Sequence, residues 1–466
     1  TLIDADGNEK ASTIADLRPI ISAKLPVEDP VLWNGRKNPY LYTVRCEIFD
    51  STTQEVTDNI DIRTGLREYH IDSHKGFFLN GEHIKLQGVS RHQDRENMGN
   101  AITEKQHAED VKIILDVGAN SVRLAHYQQN SYFYDLCDES GLLVWAEVPV
   151  ISRFSPKRNE NAEQQLVELI KQNYNHPSIF CWGIENEITI AGSANKKLIT
   201  FLKHMHKVAR HLDPTRYTTC AQLTMCPVNS PLNHITDIIG YNHYYGWYMG
   251  SCDEINNWLD EWHRENPEGK LCLSEYGAEG ITKYHSDSPV QGDYSEDYQA
   301  IYHEHYIKSI NERDWLWGSY VWNMFDFAAD ARDQGGEPGM NHKGLVTFDR
   351  KTKKDSFYLY KAWWSSDRFV HICSKRFVDR CGKKTTIKVY STDDTVTLMV
   401  NGKTVGKKTS SDHVFTFTVP LDGDLDVEAF SGLKKDTAHF HKVDKPNPAY
   451  KLVKNKNAQK SNWVDN

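Results

Sequence analysis

Between about residues 75 and 367, short apolar runs alternate with stretches whose apolar residues recur every three or four positions. The runs are His83–Val89, Ser121–Ala125, Leu142–Val148, Ile179–Ile184, Tyr217–Ala221, Asp237–Tyr241, Leu271–Glu275 and Gly318–Trp322. Short apolar runs closed by polar residues read as parallel strands covered on both faces. The intervening pattern predicts helices over Glu104–Val117, Ala162–Tyr174, Lys196–Leu212, Glu254–Glu265 and Asp297–Arg313, with another at Asp355–Trp364. Eight such alternations predict a (β/α)8 TIM barrel over residues 73–367. A doubly wound sheet fits less well, because no glycine-rich phosphate loop follows the first strand.

On either side the period shortens to two. Residues 1–72, with runs at Ile20–Leu25, Tyr42–Phe49 and Val56–Arg63, predict an immunoglobulin-like β-sandwich. It is a few strands short of a whole one and the chain starts at Thr1, so an upstream segment is expected. A second sandwich is expected over 368–443, with strands at Thr386–Tyr390, Thr397–Val400, Val414–Thr418 and Leu425–Phe430 and a hairpin turn at Asn401-Gly402. Residues 444–466 are basic and unpatterned, and read as an extended tail.

A net charge of −9 argues against nucleic acid or an anionic membrane as partner. No apolar run reaches the ~18 residues of a membrane span. Twelve Trp and twenty-three Tyr suit a protein that stacks flat faces against sugar rings. The nine cysteines show no zinc spacing and read as buried free thiols. No metal and no cofactor are expected. Compartment and homo-oligomerisation stay open.

Chemistry is expected at the carboxyl ends of the barrel strands. Glu187 follows strand four and Glu275 closes strand seven. Two facing carboxylates suit glycoside hydrolysis, one as protonated acid and the other as nucleophile, at about 5–5.5 Å in a retaining enzyme. Either Glu alone would more simply cap the next helix; the pair argues for chemistry.

Cys181-Trp182-Gly183-Ile184 leading to Asn186-Glu187, with Ser274-Glu275-Tyr276-Gly277 downstream, resembles glycoside hydrolase family 2. The resemblance runs from Leu32-Trp33 and Pro39-Tyr40-Leu41-Tyr42 to the last barrel helix. It implies Glu187 as general acid/base and Glu275 as nucleophile, with Asn186 on the sugar 2-hydroxyl. Arg123 would orient the nucleophile and His126 would face the sugar, both from Asn120-Ser121-Val122-Arg123-Leu124-Ala125-His126-Tyr127. His92 of the Arg91-His92 pair is expected to contact a sugar hydroxyl, with Asp94 and Arg95 beside it as a solvated charge pair. Tyr244 would bond the nucleophile, Tyr248 would line the entrance and Trp322 would form the floor. Ile151 and Arg153 stand where some family β-galactosidases carry magnesium ligands.

The expected activity is a retaining exo-β-glycosidase with a carbohydrate substrate, a β-galactosidase first. The alternative is a β-glucuronidase, in which Asn341 and Lys343 of Asn341-His342-Lys343-Gly344 grip the uronate carboxylate. Against it, Glu337 stands where glucuronidases often carry an arginine, four residues before Asn341. A catalytically silent carbohydrate-binding protein is the distant alternative.

Overall fold

The computed structural model describes residues 1–453. Its centre is a closed barrel of eight parallel strands: β1 Leu86–Arg91, β2 Ser121–Leu124, β3 Leu143–Glu147, β4 Ile179–Asn186, β5 Tyr217–Leu223, β6 Ile239–Asn242, β7 Leu271–Tyr276 and β8 Gly318–Val321. Every residue of β4 is buried, as expected of a strand between side-chain layers and helices. Seven α-helices are described around it: α1 Glu104–Asp116, α2 Ser131–Ser140, α3 Asn159–Asn173, α4 Lys196–Leu212, α5 Glu254–Glu265, α6 Glu296–Asn311 and α7 Asp355–Trp364. The crossover from β5 to β6 holds only a 3-10 turn, Pro231–His234. Helix α4 shows why the pattern was readable: Leu198, Phe201, Leu202, Met205 and Ala209 face the barrel, and the Asn195 side chain accepts the Lys197 and Leu198 N–H groups.

The hairpin sheet Tyr69–Asp72, Gly76–Leu79, Glu82–Ile84 covers the floor of the barrel. Its Ile71, Phe77 and Leu79 pack with Trp145, Phe180 and Trp317 in one buried cluster. His83 and Ile84 therefore belong to this hairpin, and β1 begins only at Leu86.

A four-stranded antiparallel sheet precedes the barrel, ordered Glu9–Ala11, Leu2–Ile3, Tyr42–Phe49, Val56–Thr64. The strand expected at Ile20–Leu25 does not form: this stretch pairs with no strand, and Ile20 is 87% exposed. Beyond the barrel, a three-stranded and a five-stranded sheet enclose a separate core that includes Ile387, Leu398, Phe415, Phe417 and Val427. Asn401 and Gly402 both have positive φ, the backbone that a two-residue hairpin turn requires.

The expected extended tail is ordered where it begins. Asn447 caps a 3-10 turn at Pro448–Tyr450, and the Tyr450 ring packs on Phe377 and His285. The rest of that tail, 454–466, lies outside the described residues. All nine cysteines are free, but only six are buried: Cys46 is exposed, and Cys252 and Cys381 are partly exposed. No described helix is long and apolar enough to cross a membrane.

Candidate active site

At the carboxyl ends of the strands, Arg123 of β2 organises the mouth. Its Nη1 donates to Glu275 Oε1 (2.8 Å) and its Nη2 to Asn186 Oδ1 (2.8 Å). Nε and Nη2 together hold Glu147 at 3.0 and 3.1 Å. Burial works against the guanidinium charge, but Glu147 and Glu275 more than offset it. Glu147 shows the same balance from the other side: burial would raise its carboxyl, and Arg123 and His126 bring it below the usual range. The bulk of this pair needs Gly183 on β4, where a Cβ would stand 2.5 Å from Glu147 Cβ.

Glu275 receives a second donor, Tyr244 Oη, at 2.7 Å on Oε2. Burial and the nearby Glu275 charge raise the Tyr244 phenol, so it remains a donor at neutral pH. Both oxygens of Glu275 are thus fixed, one by a cation and one by a phenol.

Glu187 stands one residue past β4 in a left-handed backbone conformation (φ 48°), with its N–H donating to Ala221 O at 2.8 Å. Burial, followed by the Glu275 charge, pushes its carboxyl up to about 8. Two residues earlier, Glu185 is also raised to about 8, chiefly by burial. It is fully enclosed, however, and bonds Ile188 N and Gln222 Nε2. Strand alternation would put two acids two residues apart on one face; the left-handed backbone at Glu187, just past the strand, separates them, leaving Glu185 enclosed and Glu187 at the mouth.

The indole of Trp322 stacks on His126 at 5.1 Å and meets His92 edge-on at 5.4 Å. Burial, helped by His126 and Arg123, holds His92 well below its ordinary value and hence neutral. His126 Nδ1 lies 2.6 Å from Glu147 Oε1, and its Nε2 is 3.8 Å from Glu275 Oε1. Asp94 and Arg95 are not a solvated pair: Asp94 is buried and takes the Ala328 N–H, while Arg95 bonds Glu109 and Asp110. The reason is position, since the β1–α1 turn lies against the 326–328 segment.

A second group sits beside the Tyr244–Tyr248 pair, whose rings are 5.1 Å apart. Lys343 Nζ donates to Tyr248 Oη (2.8 Å) and Glu279 Oε1 (3.3 Å). Arg332 Nη2 donates to the same Tyr248 oxygen at 3.0 Å and also to Glu279. Asn341 Oδ1 accepts the Lys343 N–H at 3.0 Å. Burial would raise Glu279, yet Arg332 and Lys343 bring it down to about 2. Tyr248 is 40% exposed and borders solvent.

Glu187, Glu275, Asn186, Arg123, His126, His92, Tyr244, Tyr248, Trp322, Asn341 and Lys343 lie in these two groups, whereas Asp94, Arg95, Ile151 and Arg153 do not. Three that matter were missed. Glu147 closes β3 just as Glu275 lies near the end of β7, so the strand-end logic could have found it. Glu279 and Arg332 lie in loops, and only their three-dimensional contact with Lys343 exposes them.

A parallel barrel with two opposed carboxylates, an arginine, a phenol and an indole at its mouth defines a sugar-processing class of protein. The model of the family described as glycosyl hydrolases family 2, TIM barrel domain, matches residues 71–367, and a second model of family 2 matches 2–67. The chain belongs to family 2 of the glycosyl hydrolases. A domain of unknown function matches residues 382–433. A β-glucuronidase of Bacteroides fragilis is 42% identical over 400 residues, covering 82% of this chain and 56% of that protein. The chain spans about half the length of the curated relatives it matches. Among solved structures, an FMN-binding β-glucuronidase from Facaelibacterium prausnitzii L2-6 superposes with TM-score 0.93 at 46% identity, covering 97% of this chain and 70% of that one. A putative β-galactosidase from Bacteroides fragilis gives 0.89 at 37%, covering 96% and 68%.

Proposed function

We propose that the protein is a retaining exo-β-glycosidase that removes terminal β-glucuronic acid. Glu187, protonated at pH 7 because burial and Glu275 lift it to about 8, gives its proton to the glycosidic oxygen. Glu275, aligned by Arg123 and Tyr244, attacks the anomeric carbon from the opposite face and forms a glycosyl ester. Esterification removes the Glu275 charge, which lowers the proton affinity of Glu187. The resulting carboxylate then takes a proton from water as the water releases the sugar. Asn186, tied to Arg123 and to Asn242, is placed to hold the 2-hydroxyl. Trp322 supplies the floor, with His92 and His126 at its edge.

The observation that carries the substrate is the pair of buried cations, Arg332 and Lys343, sharing one carboxylate, Glu279. Two positive charges against one negative leave a net positive site beside the Tyr244–Tyr248 wall, suited to a sugar carboxylate. This puts the glucuronide ahead of the galactoside, reversing the order expected from sequence. Arg332 comes from nine residues before Asn341 and provides the guanidinium that Glu337 does not. Several similar proteins carry the name β-glucuronidase, and that agrees.

Parallel assays on p-nitrophenyl β-glucuronide and β-galactoside test the reading, with Arg332→Met beside wild type. The glucuronide should turn over, and Arg332→Met should raise its KM by about tenfold to a hundredfold, the range of a lost charge-assisted contact, with a smaller change in kcat. Turnover of the galactoside alone would refute it.

A further inference from the structure

Beside the mouth, a cavity of about 540 Å³ opens between the β3–α3 loop and α4. Arg153, Lys157 and Arg158 line it, and no acidic residue does. Among the described residues none of these three cations takes part in an ion pair. The rings of Phe154 and Phe201, 5.5 Å apart, give it an apolar wall. Asn159, also in the lining, has a buried Oδ1 with no hydrogen-bond partner. Helix α3 starts at that residue without a side-chain cap, so its first-turn N–H groups add to the positive character.

The position of the cavity gives it a role. Its wall, Pro149 to Arg153, is tied by backbone bonds to the residue before the proposed acid. Asn186 N donates to Val150 O at 2.9 Å, and Ser152 N donates to Asn186 O at 3.1 Å. An acid delivers its proton to the leaving-group oxygen, so the part of the substrate beyond the scissile bond lies on the Glu187 side.

We propose that this cavity is a leaving-group subsite for an acidic saccharide, one whose sugar next to the scissile bond, or the one after it, carries a sulfate or a carboxylate. The three cations meet the anionic group, the Phe154 and Phe201 rings take the C–H face of the sugar, and the Asn159 amide takes a hydroxyl. The proposal rests on the exo-glycosidase reading. It explains why the strand-three segment carries a basic, acid-free surface in a chain of net charge −9.

The test compares substrates that share one terminal sugar and differ only beyond it. They are the p-nitrophenyl glycoside, a neutral disaccharide, and the same disaccharide bearing a sulfate or a carboxylate on the second sugar. The proteins are wild type and Arg153→Ser/Lys157→Ser/Arg158→Ser, all three positions being exposed. For wild type, kcat/KM on an acidic disaccharide should exceed that on the neutral one by about tenfold, the sum of a few exposed charge contacts, and the advantage should shrink with salt. The triple variant should lose the advantage and keep its rate on the p-nitrophenyl glycoside, which also shows that it is folded. The sulfated and carboxylated arms tell which anion is preferred. Equal rates on acidic and neutral disaccharides, or an advantage that survives in the variant, overturn the proposal. If wild type cleaves no glycoside, the catalytic reading fails. Calorimetric titration with the sulfated disaccharide then decides for the cavity, with binding to wild type and not to the variant supporting it and equal or absent binding overturning it.

Discussion

Glu185 and Glu187 are two residues apart, both raised to about 8, and yet separable by experiment. In each case the folded chain holds a proton that the unfolded chain loses above a carboxyl's ordinary 4.5. Stability therefore falls as pH rises from about 4.5 toward about 8. Glu185→Gln removes that penalty at a fully buried site, and the new amide can donate to Gln222 Oε1, which lacks a partner. Its Tm should rise relative to wild type, more at pH 8.5 than at 5.5, with kcat unchanged. Glu187→Gln should instead remove the alkaline limb of kcat/KM near pH 8 and slow turnover by about 10²–10⁴. Equal behaviour of the two variants would break the assignment. The motif Asn186-Glu187 was legible because a second acid, Glu275, closes strand seven, and the two together argue for chemistry where either alone would read as a helix cap. Arg332 was not legible, because nothing in a loop sequence says which buried carboxylate it will meet.

Elements were legible where burial is periodic and obscure where tertiary contact decides. Ser131–Ser140 escaped notice as a helix: four of its ten residues are buried, and its aromatic and acidic residues blur the stripe. Its ends obey local rules all the same, with Asn130 accepting the Tyr132 N–H and Gly141 left-handed at φ 74°. Ile20–Leu25 shows the converse, an alternating pattern with no neighbouring strand to pair with. Gly141 does more than end α2. A Cβ there would lie 2.2 Å from the Gly35 carbonyl, where the first domain's turn abuts the barrel, and Trp33 Nε1 donates to Asp138 O nearby. Gly141→Ala combines a strained φ with a backbone clash, so a destabilisation of about 2 kcal/mol or more is expected, read as a Tm loss of several degrees. A Tm within a degree of wild type would mean that the turn at Gly35 yields freely.

For the molecule as a whole, the C-terminal sandwich is more than a spacer if the contacts along α6 are followed. Arg376 bonds Glu296, the first residue of α6, and Lys388 bonds Glu304, about two turns further along the helix. Glu296 also accepts the Asp355 N–H at 2.8 Å, tying α7 to the same point. Between these anchors, Gln299 Nε2 donates to the carbonyls of Ala278 and Gly344, the neighbours of Glu279 and Lys343. The sandwich thus braces the helix that backs the proposed carboxylate corner. Burial and the Asp355 charge raise Glu296, and Arg376 opposes them. Arg376→Ala leaves a buried carboxyl without its cation, and its folded pKa should climb further. A carboxyl raised above its unfolded value loses stability as pH rises, so the variant should fall below wild type by more at pH 8 than at pH 5. Arg376 is about a third exposed, which puts the loss at about 2 kcal/mol rather than the larger figure for a fully buried pair. If α6 transmits the change, KM for the glucuronide should rise while the pH profile set by Glu187 stays in place. A Tm loss with KM unchanged would show that the sandwich contributes stability alone.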